Sequence, residues 1–173
     1  GHNLYEYIKK FDLHNKVYFT QDMDGVIGLN DEELVELYNC FDIYVSTTQG
    51  EGFGLTQLEA QSCGIPTLIT DYSACKEFVP KDNRINVKAS FYEAFWDVER
   101  AIVDQDDLVS KLNKLYQNQN VLPLIGERAR NYVEGYDWKY ILPLWEYFIK
   151  LYAEQEFGIK EDTSKTMSKF VRI

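Results

Sequence analysis

The stretch Ser46-Thr47-Thr48-Gln49-Gly50-Glu51-Gly52-Phe53-Gly54-Leu55-Thr56-Gln57-Leu58-Glu59-Ala60 decides the reading of this chain. It begins where an apolar run, Ile43-Tyr44-Val45-Ser46, reads as a strand, and it ends inside a pattern over residues 55–63 that reads as a helix. Gly50, Gly52 and Gly54 permit positive φ and let backbone approach a ligand closely. The amides at the start of the helix, at the positive end of its dipole, form an anion site. Glu51 stands before that site and Glu59 in the second turn after it. Such a cradle suits a ligand carrying both phosphate and hydroxyls, the amides taking the phosphate and the carboxylates accepting from hydroxyls. A second reading fits the same residues alone: a glycine-rich packing turn, with Glu51 a partner of the helix dipole and Glu59 a solvated helix residue.

Outward from this stretch, strand and helix patterns alternate. Gly64 closes the helix, with Pro66 just beyond, and Thr67-Leu68-Ile69-Thr70 is a further strand. Residues 73–79 read as one or two helical turns ended by Pro80. Upstream, residues 3–11 are helix-like and Val17-Tyr18-Phe19-Thr20 is a short strand candidate. Residues 21–30 form a loop, and Asn30 with Glu33 spells a capping box. Leu34, Leu37, Tyr38 and Phe41 then place one helix face in the core. The alternation predicts βαβ units, a parallel sheet, and a ligand site at the carboxyl ends of its strands.

After Ile85-Asn86-Val87 the chain is expected to be helical. Ser90 and Glu93 spell a capping box, and Phe91, Phe95 and Val98 a broken apolar stripe. Leu108, Leu112 and Leu115 mark another helix, and residues 125–133 a further one. The last helix covers 138–154, with Ile141, Leu142, Trp145, Phe148, Ile149 and Tyr152 expected inward and Pro143 kinking it or marking its first turn. Residues 158–173 read as a polar tail.

With 173 residues there is room for one domain with a real core. Lys and Arg number 18 against 28 Asp and Glu, a net charge of −10, which argues against nucleic acid as partner. No apolar run reaches the roughly 18 residues of a membrane span, and no signal peptide is visible. Cys40, Cys63 and Cys75 are odd in number and lack Cys-x-x-Cys spacing, so a reducing, cytoplasmic setting is expected, without disulfides or zinc. No His accompanies Cys63 and Cys75, so they read as small packing residues rather than nucleophiles.

Glu51-Gly52-Phe53-Gly54-Leu55-Thr56-Gln57-Leu58-Glu59 resembles the E-x7-E signature of the retaining glycosyltransferases of family 4, which have the two-domain GT-B fold. Glu59-Ala60-Gln61-Ser62-Cys63-Gly64-Ile65-Pro66-Thr67-Leu68-Ile69-Thr70 resembles the family's helix-to-strand run. Asp71-Tyr72-Ser73-Ala74-Cys75-Lys76-Glu77 sits where the family has a small-residue loop followed by Glu. Tyr136-Asp137-Trp138 resembles its closing Phe-Ser-Trp segment. The likeness covers about residues 10–157.

The resemblance implies an α/β fold: a Rossmann-like parallel sheet flanked by helices, the C-terminal, nucleotide-sugar-binding half of a GT-B fold, over residues 1–157. Glu59 would bind the ribose hydroxyls of a nucleotide diphosphate sugar. Gly52, Phe53, Gly54 and Leu55 would meet the transferred sugar and the diphosphate. Glu51 would act at the reacting centre. Met23 and Val26 either line the nucleobase pocket or pack the loop. The donor would be a UDP- or GDP-sugar, leaning to GDP-mannose, transferred with retention and without a cofactor or essential metal. Asp22-Met23-Asp24 has an Asp-x-Asp spelling, but it lies in a loop and reads as solvated or capping.

The family also carries an acceptor-binding domain and two strands with a basic segment, none of which is visible before Asn3. In the family's strand order, 3-2-1-4-5-6, those strands would lie between residues 17–20 and 43–46. This chain is therefore expected to be the donor-binding part of something longer and inactive alone, the full protein being cytoplasmic or membrane-peripheral, with its acceptor a glycan, a lipid or a protein. Its helix at 138–157 is expected to cross back onto the acceptor domain, with part of its aromatic face exposed. A different class of function, a non-catalytic nucleotide-diphosphate-binding or interaction module on the same fold, stays open.

Overall fold

A computed structural model describes residues 3–19 and 29–158. The chain divides into two compact units, Gly1–Leu34 and Val35–Ile173.

In the first unit, α1 (Leu4–Lys10) starts at Asn3, whose side chain accepts from the Tyr5 amide at 3.1 Å. Residues 17–19 are not a strand, contrary to expectation. The Lys16 and Val17 amides turn back to the Leu13 carbonyl, and the Tyr18 hydroxyl donates to Asn15 O. A strand exists only where its backbone finds a ladder partner, and this segment closes on itself instead. The capping box at Asn30 forms as read: the Glu33 amide donates to Asn30 Oδ1 and the Asn30 amide to Glu33 Oε2, both at 3.0 Å. It opens α2 (Asp31–Asn39).

In the second unit, β1 (Tyr44–Ser46), β2 (Thr67–Thr70) and β3 (Arg84–Ile85) form a parallel sheet in that order. Tyr44 pairs with Thr67, and Ile69 with Arg84. Parallel neighbours require crossovers. The first is α3 (Leu55–Ser62), and the second is a short 3₁₀ segment, Ser73–Glu77. All four residues of β2 are buried, as expected of a central strand covered on both faces. Ile69, Cys75 and Val79 form the core beneath it, with Tyr44 against them.

α3 ends as the glycine predicts. Gly64 is at φ +76, its amide donates to Gln61 O and the Ile65 amide to Ala60 O, a Schellman closure. α4 (Gln105–Gln117) starts on Asp104, whose side chain accepts from the Asp106 and Asp107 amides. α5 (Leu122–Val133) follows and packs on α3.

Two further expectations fail. Residues 87–103 are not helical: β4 (Val87–Glu93) and β5 (Val98–Val103) make an antiparallel hairpin. Ser90 does not cap a helix; its hydroxyl donates across the hairpin to Glu99. Glu93 accepts from Arg100 Nε at 2.8 Å, again across the strands. The β-branched and aromatic residues of both runs suit a pleated surface, and Asp97 turns the chain at φ +53, which Asp tolerates.

The second failure concerns α6 (Trp138–Phe157), which starts on the Asp137 cap and holds Pro143 in its interior rather than its first turn. No residue of α6 is buried. Leu142, Trp145, Phe148, Ile149 and Tyr152 are exposed, against the inward reading and in keeping with the expectation that part of this helix's aromatic face is exposed. The helix has an apolar face, but among the described residues nothing covers it.

Candidate functional site

The glycine turn lies where the parallel sheet predicts, between the carboxyl end of β1 and the start of α3. Hydrogen bonds from three segments tie it down. The Thr70 hydroxyl, at the end of β2, donates to Thr48 O at 2.8 Å. The Ala101 amide of β5 donates to Gln49 O at 2.8 Å. The Glu51 amide donates to Ser73 Oγ at 3.0 Å, and Ser73 itself is at φ +51. The turn is thus preorganised by the sheet, the hairpin and the 3₁₀ segment together.

Gly54 is the residue next to the helix. Its φ of +98 is a left-handed conformation that favours glycine, and a Cβ there would lie 2.4 Å from Gln57 Nε2. Gln57 is buried and donates to Cys75 O. With Gly54 as N-cap, no side chain caps the first amides of α3. A Cβ at Gly52 would meet nothing within 4 Å, so open space lies in front of that residue. Phe53 and Leu55 are exposed at the mouth of the turn, and Phe53 leans on the buried Phe78 with ring centroids 4.7 Å apart.

The two carboxylates differ in setting. Glu51 is exposed, within 3.3 Å of the Thr48 hydroxyl. Glu59 is half-buried in the second turn of α3, and the Tyr38 hydroxyl donates to its Oε2 at 2.9 Å. Burial and the Glu59 carboxylate push the Tyr38 hydroxyl far above the ordinary tyrosine value, so Tyr38 stays a donor across the physiological range. Burial pushes the Cys63 and Cys75 thiols up, which keeps both protonated near neutrality and inert as nucleophiles.

The structure brings Glu51, Gly52, Phe53, Gly54, Leu55 and Glu59 onto one turn and its helix. Met23 and Val26, and Asp22 and Asp24, lie outside the described residues. Sequence reasoning missed three contributors. Tyr38 was legible only as part of an apolar helix face. Ser73 was legible only as part of a small-residue loop. Arg100 was hidden by the helical reading of its segment: it sits on β5, with Nη1 3.7 Å from where a Gly50 Cβ would stand. A cavity of about 390 Å³ at the amino-terminal ends of β2 and β3, lined by Thr67, Asn83, Lys111 and Ile125 among others, contains none of the turn residues. No helix among the described residues is long and apolar enough to cross a membrane.

Known proteins are similar to this chain. The sulfoquinovosyl transferase of Arabidopsis thaliana is 32% identical over 111 residues, 64% of this chain and 20% of that protein. The lipopolysaccharide core biosynthesis mannosyltransferase of Rhizobium meliloti is 28% identical over 104 residues, 58% of this chain and 27% of that protein. The chain thus spans less than a third of the length of either relative. Among solved structures, the sucrose-phosphate synthase of Thermosynechococcus elongatus superposes with a TM-score of 0.65 at 19% identity, over 87% of this chain and 34% of that one. That likeness shows the fold, an α/β architecture of GT-B type with a parallel sheet flanked by helices. The family pattern described as glycosyl transferases group 1 matches residues 2–132, most of the chain, and the chain belongs to that family.

Proposed function

We propose that this chain is the donor-binding part of a retaining glycosyltransferase of family 4, taking its sugar from a UDP- or GDP-sugar, with GDP-mannose the first donor to test. The observation that carries the reading is the uncapped start of α3 behind an open glycine turn, flanked by Glu51 and Glu59.

In this reading the amides of residues 52–55 take the diphosphate and the neighbouring edge of the sugar, without an essential metal. Glu59 accepts from the ribose hydroxyls. Glu51 lies against the transferred sugar. The bond from the anomeric carbon to the diphosphate oxygen breaks, and the nucleoside diphosphate departs. A bond to the acceptor hydroxyl oxygen forms on the same face, and the acceptor's proton passes to the departing diphosphate. The turn's fixed backbone stabilises charge that grows on the diphosphate as it leaves. The acceptor site would come from another part of the complete protein, which would also cover the aromatic face of α6. On its own this chain would bind donor and not turn over.

The test is thermal unfolding of the complete protein with GDP, UDP and their mannose and glucose conjugates. A ligand at about 100 times its dissociation constant adds about 2.7 kcal/mol. A shift with one nucleotide that Glu59→Ala abolishes supports the site and names the base. In the same protein, Glu51→Ala lowers kcat about 100-fold or more while nucleotide affinity holds. Absence of any nucleotide shift in the complete protein overturns the assignment. Nucleotide binding without turnover leaves the binding-module reading in its place.

A further inference from the structure

Tyr38 is a nearly closed-off tyrosine, 5% exposed, at the back of Glu59. Its hydroxyl proton is shared between Glu59 Oε2 at 2.9 Å and the Thr56 carbonyl at 3.1 Å. Its ring is set edge-on against Phe41 at 5.9 Å and tilted against Tyr44 at 6.5 Å. Tyr44 in turn pairs its hydroxyl with Thr56 Oγ1 at 2.8 Å. Two aromatic residues, one from α2 and one from β1, therefore grip the first turns of α3 at Thr56 and Glu59.

A buried tyrosine needs one acceptor, and the Thr56 carbonyl supplies it. The bond to Glu59 does something more. It holds a long, half-exposed carboxylate in one rotamer, which on a free helix surface would sample several. It also occupies Oε2 alone: among the described residues, Oε1 accepts no hydrogen bond. A carboxylate anchored through one oxygen and open at the other is arranged in advance to receive a hydroxyl, so less rotamer freedom is lost when the ligand binds.

We propose that Tyr38 is a positioning residue for donor recognition: it anchors Glu59 through Oε2 and leaves Oε1 to accept from the ribose hydroxyls. This rests on the donor-site reading of Glu59.

The experiment compares Tyr38→Phe with the unaltered complete protein, titrated with the preferred nucleoside diphosphate and with its 2′,3′-dideoxy form. Phe keeps the ring and its packing and removes only the hydroxyl. The unaltered protein should favour the ribose form by about tenfold or more, and Tyr38→Phe should cut that preference about fivefold. Its affinity for the dideoxy form should stay unchanged. Glu59→Ala should erase the preference, and adding Tyr38→Phe to Glu59→Ala should cost nothing further, because the tyrosine acts only through the carboxylate.

A Tyr38→Phe variant that keeps the full preference overturns the inference. So does one that loses affinity equally for both ligands, which would mark a structural role only. An unaltered protein that binds both forms equally, or neither, removes the donor-site reading itself and this inference with it.

Discussion

Gly126 in α5 faces the carbonyl of Gly64 so closely that a Cβ on Gly126 would stand 1.9 Å from the Gly64 oxygen and 3.0 Å from its carbon. Both obstacles are backbone atoms, held by the closure that ends α3, so they have little room to yield. The α3–α5 contact, and with it the seating of the helix that carries Glu59, depends on this pair.

Gly126→Ala should therefore destabilise the protein by about 2–3 kcal/mol through overpacking. At roughly 2–4 °C per kcal/mol for a domain of this size, Tm should fall by about 5–10 °C. Gly135→Ala is the control, since a Cβ there meets nothing within 4 Å. Equal melting temperatures for the two variants would show that α5 is not seated as described.

Gly54 and Gly52 separate structure from binding. Gly54→Ala forces a left-handed alanine and drives its Cβ into the Gln57 amide, so Tm should fall, the backbone strain alone costing about 1–2 kcal/mol. Gly52→Ala has free space and should leave Tm unchanged. In the proposed reading the donor fills that free space, so Gly52→Ala should weaken nucleotide-sugar binding all the same. Calorimetric melting with and without nucleotide reads both effects; unchanged affinity in Gly52→Ala would move the ligand off this turn.

Asp107 joins the start of the hairpin to α4. It accepts from the Asn86 amide at 2.8 Å and from Lys111 Nζ at 2.5 and 2.6 Å. The Asn86 amide first, then Lys111, hold its carboxyl below the usual range. A carboxylate with a lowered folded pKa stabilises the fold above its unfolded pKa, and that contribution is lost as pH falls through the folded value. Asp107→Asn should cost about 1–2 kcal/mol at pH 7. The gap from the unaltered protein should then close as pH is lowered from about 5 toward 3. A gap that persists at low pH would mean that the side chain's shape, not its charge, is what matters.

The signals legible in the sequence were those complete within a few residues. The Asn30–Glu33 box, the Gly64 closure, the Asp137-Trp138 helix start and the strand–glycine turn–helix order each need only local backbone geometry, and each formed where the spelling placed it. The residues 87–103 carried two spellings at once. Ser90 and Glu93 fit a helix cap, and the β-branched and aromatic residues fit strands. The choice fell to the hairpin because its two runs pair with each other and β5 hydrogen-bonds to Gln49, some fifty residues back.

By itself, the sequence determined the succession of β1, α3 and β2, the place of the glycine turn, and the pair of glutamates that flank it. All of these follow from short-range sterics and periodicity. Only the tertiary structure decided that residues 17–19 are not a strand, that the hairpin holds the turn, which of the inward and exposed readings of α6 holds, and that the Tyr38 hydroxyl donates to Glu59. Each depends on whether a distant partner is present to complete a ladder, cover a face or accept a proton, and no local pattern contains that partner.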